Sequence, residues 1–188
     1  MPAGRPYHHG NLRPALLAAA VEAIGQVGPG SVSLREVARR AGVTHTAVAY
    51  HFGDKAGLLT AVAADGYRLL GEALRAAQEQ GSFLDVGVAY VRFAVEHRAY
   101  FEVMYRPELY RSGDADVLRA RAAAARLLYG SDDPSQQELE AGVAAWSLVH
   151  GLATLWLNGN LPERLGRDPE QITRMVATHL RPPAPGQG

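Results

Sequence analysis

Between Thr44 and Lys55 the chain sets six side chains that can donate hydrogen bonds, Thr44, His45, Thr46, Tyr50, His51 and Lys55, around one inward-facing aliphatic residue, Val48. On a helix with Val48 turned inward, Thr46 and Tyr50 point nearly the opposite way, Ala47 and Ala49 take the flanks, and His45 and His51 lie nearer the edges. Threonine hydroxyls donate or accept, alanine methyls can meet a thymine methyl, and Tyr and His reach phosphate oxygens. The chemistry on offer is recognition of a double-stranded DNA surface. Arg35, on the segment before it, adds a cation. Lys55 opens the next helix, where its charge and the free N–H groups of that helix could grip one phosphate.

Such a face needs two short helices held at a fixed angle. Ser33 and Glu36 form a capping box for the first, and Thr44 caps the second. Ala38 is small where the helices cross. Gly42 occupies the turn, where a left-handed backbone is easiest without a Cβ. Val37, Ala41, Val43, Val48 and Phe52 fill the inner positions. The spacing therefore predicts a helix-turn-helix unit over residues 33–55.

The same residue types elsewhere point less clearly to chemistry. Seven of the 14 aromatic residues fall between Phe83 and Tyr110. Phe93, His97, Phe101 and Met104 recur at helical spacing. They and Tyr90, Trp146 and His150 are either core or the lining of an apolar effector pocket with a few polar groups. His150 beside Trp146 reads first as a buried, hydrogen-bonded histidine. No cofactor loop and no metal-ligand spacing accompanies it, and His8-His9 reads as a solvated arm.

Helical periodicity runs through the rest of the chain, and the expected fold is all-α. Leu16, Leu17, Ala20, Val21 and Ile24 form one face before Gly28-Pro29-Gly30. Asp54 caps a long helix reaching to about Gln80, Ser82 starts another, and Pro107 ends the piece after it. Asp133-Pro134 and Asp168-Pro169 predict two final helices over about 135–158 and 169–180. The stretch Ala141–Pro162 carries no Asp, Glu, Lys or Arg. Its histidine and asparagines, and the lack of a flanking basic cluster, favour an interface helix over a membrane span. Such a helix, apolar nearly all round, needs cover on both sides.

The 188 residues include no cysteine, which fits a reducing cytoplasm, and no secretory signal is visible. Basic and acidic residues balance at 19 each, too few net cations for a sequence-neutral DNA-packaging protein. Residues 1–55 hold six basic and three acidic residues, a small basic excess that the remainder offsets. The expected organisation is a three-helix DNA-binding domain over 1–55, a helical ligand-binding and dimerisation domain over 56–181, and a disordered tail over 182–188.

Residues 33–55 resemble the signature of the TetR family of bacterial transcriptional regulators. Leu34, Glu36, Val37, Ala38, Ala41, Gly42, Val43, Thr44, His51, Phe52 and Lys55 match it in place, and Tyr7 to Arg13 is similar to the opening of one branch. The family usually has tyrosine where this chain has Ala49, and the ring stands at Tyr50 instead. Trp146 to Gly151 resembles the W-x-x-x-H-G mark of a TetR-type C-terminal domain. The resemblance implies a homodimer paired through its last two helices, with Val149, Leu152, Ala153, Trp156, Ile172 and Val176 as candidates. It also implies a repressor released from a palindromic operator by a small effector. A small α-helical enzyme using His97 or His150 as a general base stays open, as does a DNA-binding protein that answers to no ligand.

Overall fold

The computed structural model describes residues 12–129 and 133–179. The opening segment with its paired histidines, and the tail from 180 onward, lie outside the described residues. Within them the chain forms helices α1 (Leu12–Val27), α2 (Leu34–Ala41), α3 (His45–Phe52), α4 (Lys55–Gln80), α5 (Phe83–Glu96), α6 (Arg98–Met104), α7 (Ala115–Tyr129), α8 (Gln136–Leu157) and α9 (Pro169–Ala177). Short 3-10 turns cover Pro107–Leu109 and Glu163–Leu165. No strand occurs among the described residues.

Helices α1 to α3 make a small head over a core of Leu16, Ala20, Ile24, Val37, Val48 and Phe52. Each of the larger side chains here, Leu, Ile, Val or Phe, contributes about 1.5–3 kcal/mol when withdrawn from water. Arg40 ties α1 to α2: its guanidinium donates to Glu22, Gln26 and Glu36 at 2.9, 2.6 and 2.7 Å. Helix α4 leaves the head and runs along the body, packing on α5, α6 and α7, while α8 and α9 pack on α5. No helix among the described residues is long and apolar enough to cross a membrane.

Three local expectations change. The Ser33 hydroxyl accepts from the Glu36 N–H at 3.2 Å, but the Glu36 carboxylate turns to Arg39 and Arg40 instead of closing the box. Helix α8 is capped by Ser135, in a reciprocal box with Glu138, so Asp133-Pro134 lies ahead of the helix. A serine with a glutamate three residues on satisfies two N–H groups and outcompetes the Asp-Pro pair. The chain also breaks at His97 (φ −117°, ψ 41°), which ends α5 and begins α6. One continuous face from Phe93 to Met104 therefore does not form.

Candidate nucleic-acid interface

The turn between α2 and α3 is fixed by backbone chemistry. Gly42 adopts φ 66°, and the Val43 N–H reaches back to the Ala38 carbonyl at 3.0 Å, closing the end of α2. A left-handed residue at this position spends the helix's free carbonyls and turns the chain sharply. Thr44 then accepts from the Ala47 N–H at 3.2 Å and starts α3. Val48 is 0% exposed and Phe52 is buried, so one side of α3 is sealed against α1 and α2.

The opposite side is open. Tyr50 is 87% exposed, and His45, Thr46, Thr44 and Arg35 are exposed as well. Among the described residues, no protein hydrogen bond engages the side chains of His45, Thr46 or Tyr50; the Tyr50 ring meets only His51, edge-on at 5.3 Å. Ala47 and Ala49 are half-buried on the flanks. His51 is also half-buried and helps line a crevice of about 530 Å³ between head and body, with Arg13, Asp65, Arg111 and Arg119.

Lys55 is placed differently from the expected phosphate grip. It is half-buried, and its Nζ donates to the Gly30 carbonyl at 2.5 Å, pinning the start of α4 to the turn after α1. The ammonium keeps two more donors, but its position is set by the head. Two arginines the sequence reading did not select also shape this region. Arg13 lies over the Phe52 ring at 5.3 Å. Arg111, from the segment before α7, bonds Asp54, the cap of α4, through one nitrogen at 2.8 and 3.0 Å. The first lies in the opening stretch that resembles one branch of the family; the second is 57 positions from its partner and leaves no local signal.

In the body, four of the seven pocket candidates meet. The Tyr90 hydroxyl is a hub: it lies 2.7 Å from the Tyr105 hydroxyl and 2.8 Å from His150 Nδ1, and it accepts from Trp146 Nε1 at 3.2 Å. Phe101 stacks on His150 with ring centroids 5.4 Å apart. Burial pushes the Tyr90 and Tyr105 phenols up and holds the His150 imidazole below its ordinary value. Tyr105, one helical turn after Phe101, belongs to this cluster and was missing from the expected set. The break at His97 sends the others elsewhere. Phe93 and His97 line a separate groove of about 270 Å³ with Ala73, Ala77 and Gln80, and Met104 is buried over Gly66 of α4.

The dimer candidates also need correction. Val149, Leu152, Ala153 and Ile172 are buried in the protomer's own core, Ala153 at 0% exposed, which leaves them little surface to offer a partner. Trp156 and Val176 are half-buried. Leu139, Val143 and Leu155 of α8 and Met175 of α9 are the exposed large apolar residues of these two helices.

Comparison with known proteins agrees with this architecture. Residues 16–62 match the model of "Bacterial regulatory proteins, tetR family", and residues 83–180 match "Tetracyclin repressor-like, C-terminal domain". The HTH-type transcriptional regulator BetI of Escherichia coli O9:H4 is 29% identical, covering 79% of this chain and 82% of its own. A solved Rhodococcus sp. RHA1 protein of unknown function is 31% identical, covers 93% of this chain and 96% of its own, and superposes with a TM-score of 0.76. NalD of Pseudomonas aeruginosa, the secondary repressor of the MexAB-OprM efflux pump, shares the fold at 23% identity and TM-score 0.61, covering 91% and 95%. Both family models fall on this chain in the right order, one on the helix-turn-helix head and one on the helical body. The chain belongs to the tetR family of bacterial regulatory proteins and is a DNA-binding transcriptional regulator, not an enzyme.

Proposed function

We propose that two copies of this chain bind a palindromic operator through the outer face of α3, repress transcription there, and let go when a small molecule enters the body. The observation that carries the reading is the asymmetry of α3: Val48 is sealed while Thr46 and Tyr50 make no side-chain hydrogen bond to any described residue. Side chains left free in this way are available for bases and phosphates, with His45, Thr44, Ala47, Ala49 and His51 around them and Arg35 beside them. Tyr50 takes the phosphate contact that a tyrosine at position 49 would otherwise make.

The dimer is supported by exposed apolar residues on the last two helices, Leu139, Val143 and Leu155 of α8 and Met175 of α9, each more than a third exposed in the single chain. A second copy related by a two-fold axis covers apolar surface of these helices with its own and presents two heads to successive major grooves. The Tyr90–Tyr105–Trp146–His150 cluster supports an effector of mixed character, apolar with one hydrogen-bonding group that exchanges for a bond at the hub. Release requires that the effector bind the two head spacings with different affinity. A ligand-independent regulator is the second reading, favoured by the way the cluster satisfies its own polar groups.

Duplexes selected by the chain from a random pool test the core of the proposal. The expected result is an inverted repeat bound by two chains, and an asymmetric site bound by one chain overturns it. Melting with and without apolar phenols, amines and acids then separates the two readings. A compound that raises the melting temperature and weakens DNA binding supports the effector; stabilisation with unchanged DNA binding favours the second reading.

A further inference from the structure

Arg111 reaches from the body to the point where α3 becomes α4. One of its guanidinium nitrogens bridges both oxygens of the Asp54 carboxylate, at 3.0 and 2.8 Å. Asp54 is at the same time the cap of α4, accepting from the Gly57 N–H at 2.8 Å, and its own N–H donates to the Phe52 carbonyl at the end of α3. The second terminal nitrogen of the guanidinium lies across Gly57. A Cβ there would stand 2.0 Å from the Phe52 carbonyl oxygen and 2.6 Å from Arg111 Nη1. Only glycine lets the last carbonyl of α3, the first turn of α4 and the arginine pack together.

The base of this arm is firmly held. The Arg111 N–H donates to the buried Thr60 hydroxyl of α4 at 3.0 Å, and the neighbouring Tyr110 is buried, with its hydroxyl on the Met104 carbonyl at 3.0 Å. Six residues upstream, Tyr105 joins the Tyr90 hub beside His150. One short segment, 105–111, thus has the aromatic cluster at one end and the head at the other.

We propose that Arg111 is a positioning residue for DNA recognition: through Asp54 and Gly57 it sets the angle at which the body presents α3. The proposal rests on α3 being the DNA-reading helix. The contact is exposed, so its strength is modest, and its effect comes from location and from being present once in each head.

The test uses the full chain, the selected duplex as probe, and hydrogen exchange of the free protein. Arg111→Met keeps the stem and removes the charge; Arg111→Lys keeps a charge that can bridge the two oxygens as the single arginine nitrogen does; Asp54→Ser keeps a capping oxygen without the charge. Arg111→Met should weaken duplex binding about tenfold, about threefold for each of two heads. It should also speed amide exchange in α3 while leaving α1 unchanged. Arg111→Lys should restore both to within about twofold, and the Arg111→Met/Asp54→Ser pair should be no weaker than the worse single variant. Wild-type binding and α3 exchange in Arg111→Met, failure of lysine to rescue, or fully multiplying single effects would each overturn the proposal. If Thr46→Ala and Tyr50→Ala leave duplex binding intact, the assignment of α3 fails instead, and the exchange comparison still decides whether Arg111 orders that helix.

Discussion

The outer face of α3 and the aromatic cluster of the body use similar side chains in opposite ways. On α3 the polar groups of His45, Thr46 and Tyr50 have no hydrogen-bonding partner among the described residues, and Tyr50 is almost fully in water. In the body Tyr90, Tyr105, Trp146 and His150 bond one another, and the Tyr90 ring is wholly buried. A surface that must bind another molecule keeps its donors free. A polar group removed from water must find its partner inside the fold. Loss of a side chain should therefore cost binding in the first region and stability in the second.

The largest effect comes from breaking the support of the first region. Val48→Asp places a charge without a partner in the sealed side of α3 and should destabilise the head by more than about 4 kcal/mol. Calorimetry should show an early transition of the head, with duplex binding lost. Next comes the hub of the second region. Tyr90→Phe removes the oxygen that Tyr105, His150 and Trp146 share, and should cost about 1–3 kcal/mol in denaturant unfolding. Binding to the selected duplex should change little, so a large loss of affinity with intact stability would erase the contrast between the regions.

The sequence made the first region legible because its determinants are local. Gly42 at a turn, Thr44 as a cap, Ala38 at a crossing and Val48 opposite Thr46 all follow from spacing within one short stretch, Ala38 to Val48, and the structure places each accordingly. The body was less legible for a physical reason. Helix α8 is apolar around most of its circumference, so no polar stripe marks the outward side, and nothing in the pattern separates Ala153 and Leu152, which fill the protomer's core, from residues free to meet a partner. The break at His97 was equally hidden, since the apolar repeat continues across it and only the backbone turns. Contacts such as Arg111 with Asp54 depend on distant segments meeting, which periodicity does not encode.

A smaller effect sharpens the contrast through pH. Burial holds the His150 imidazole below its ordinary 6.5. The unfolded chain therefore binds a proton before the folded one does, so stability is full above that pH and falls as pH drops below it toward the depressed folded value. His150→Gln should flatten this part of the dependence, seen as a smaller drop in the urea midpoint between neutral and mildly acidic buffer. An unchanged profile would remove His150 from the account.

The central claim is that the exposed side of α3 reads DNA without holding up the fold. It is tested most directly by measuring duplex affinity and melting temperature together for Tyr50→Ala and Thr46→Ala. Each should weaken binding to the selected duplex about five- to tenfold. Each should leave stability within about 0.5 kcal/mol of the parent. Undiminished affinity in both variants, or a loss of affinity matched by a loss of stability, would contradict it.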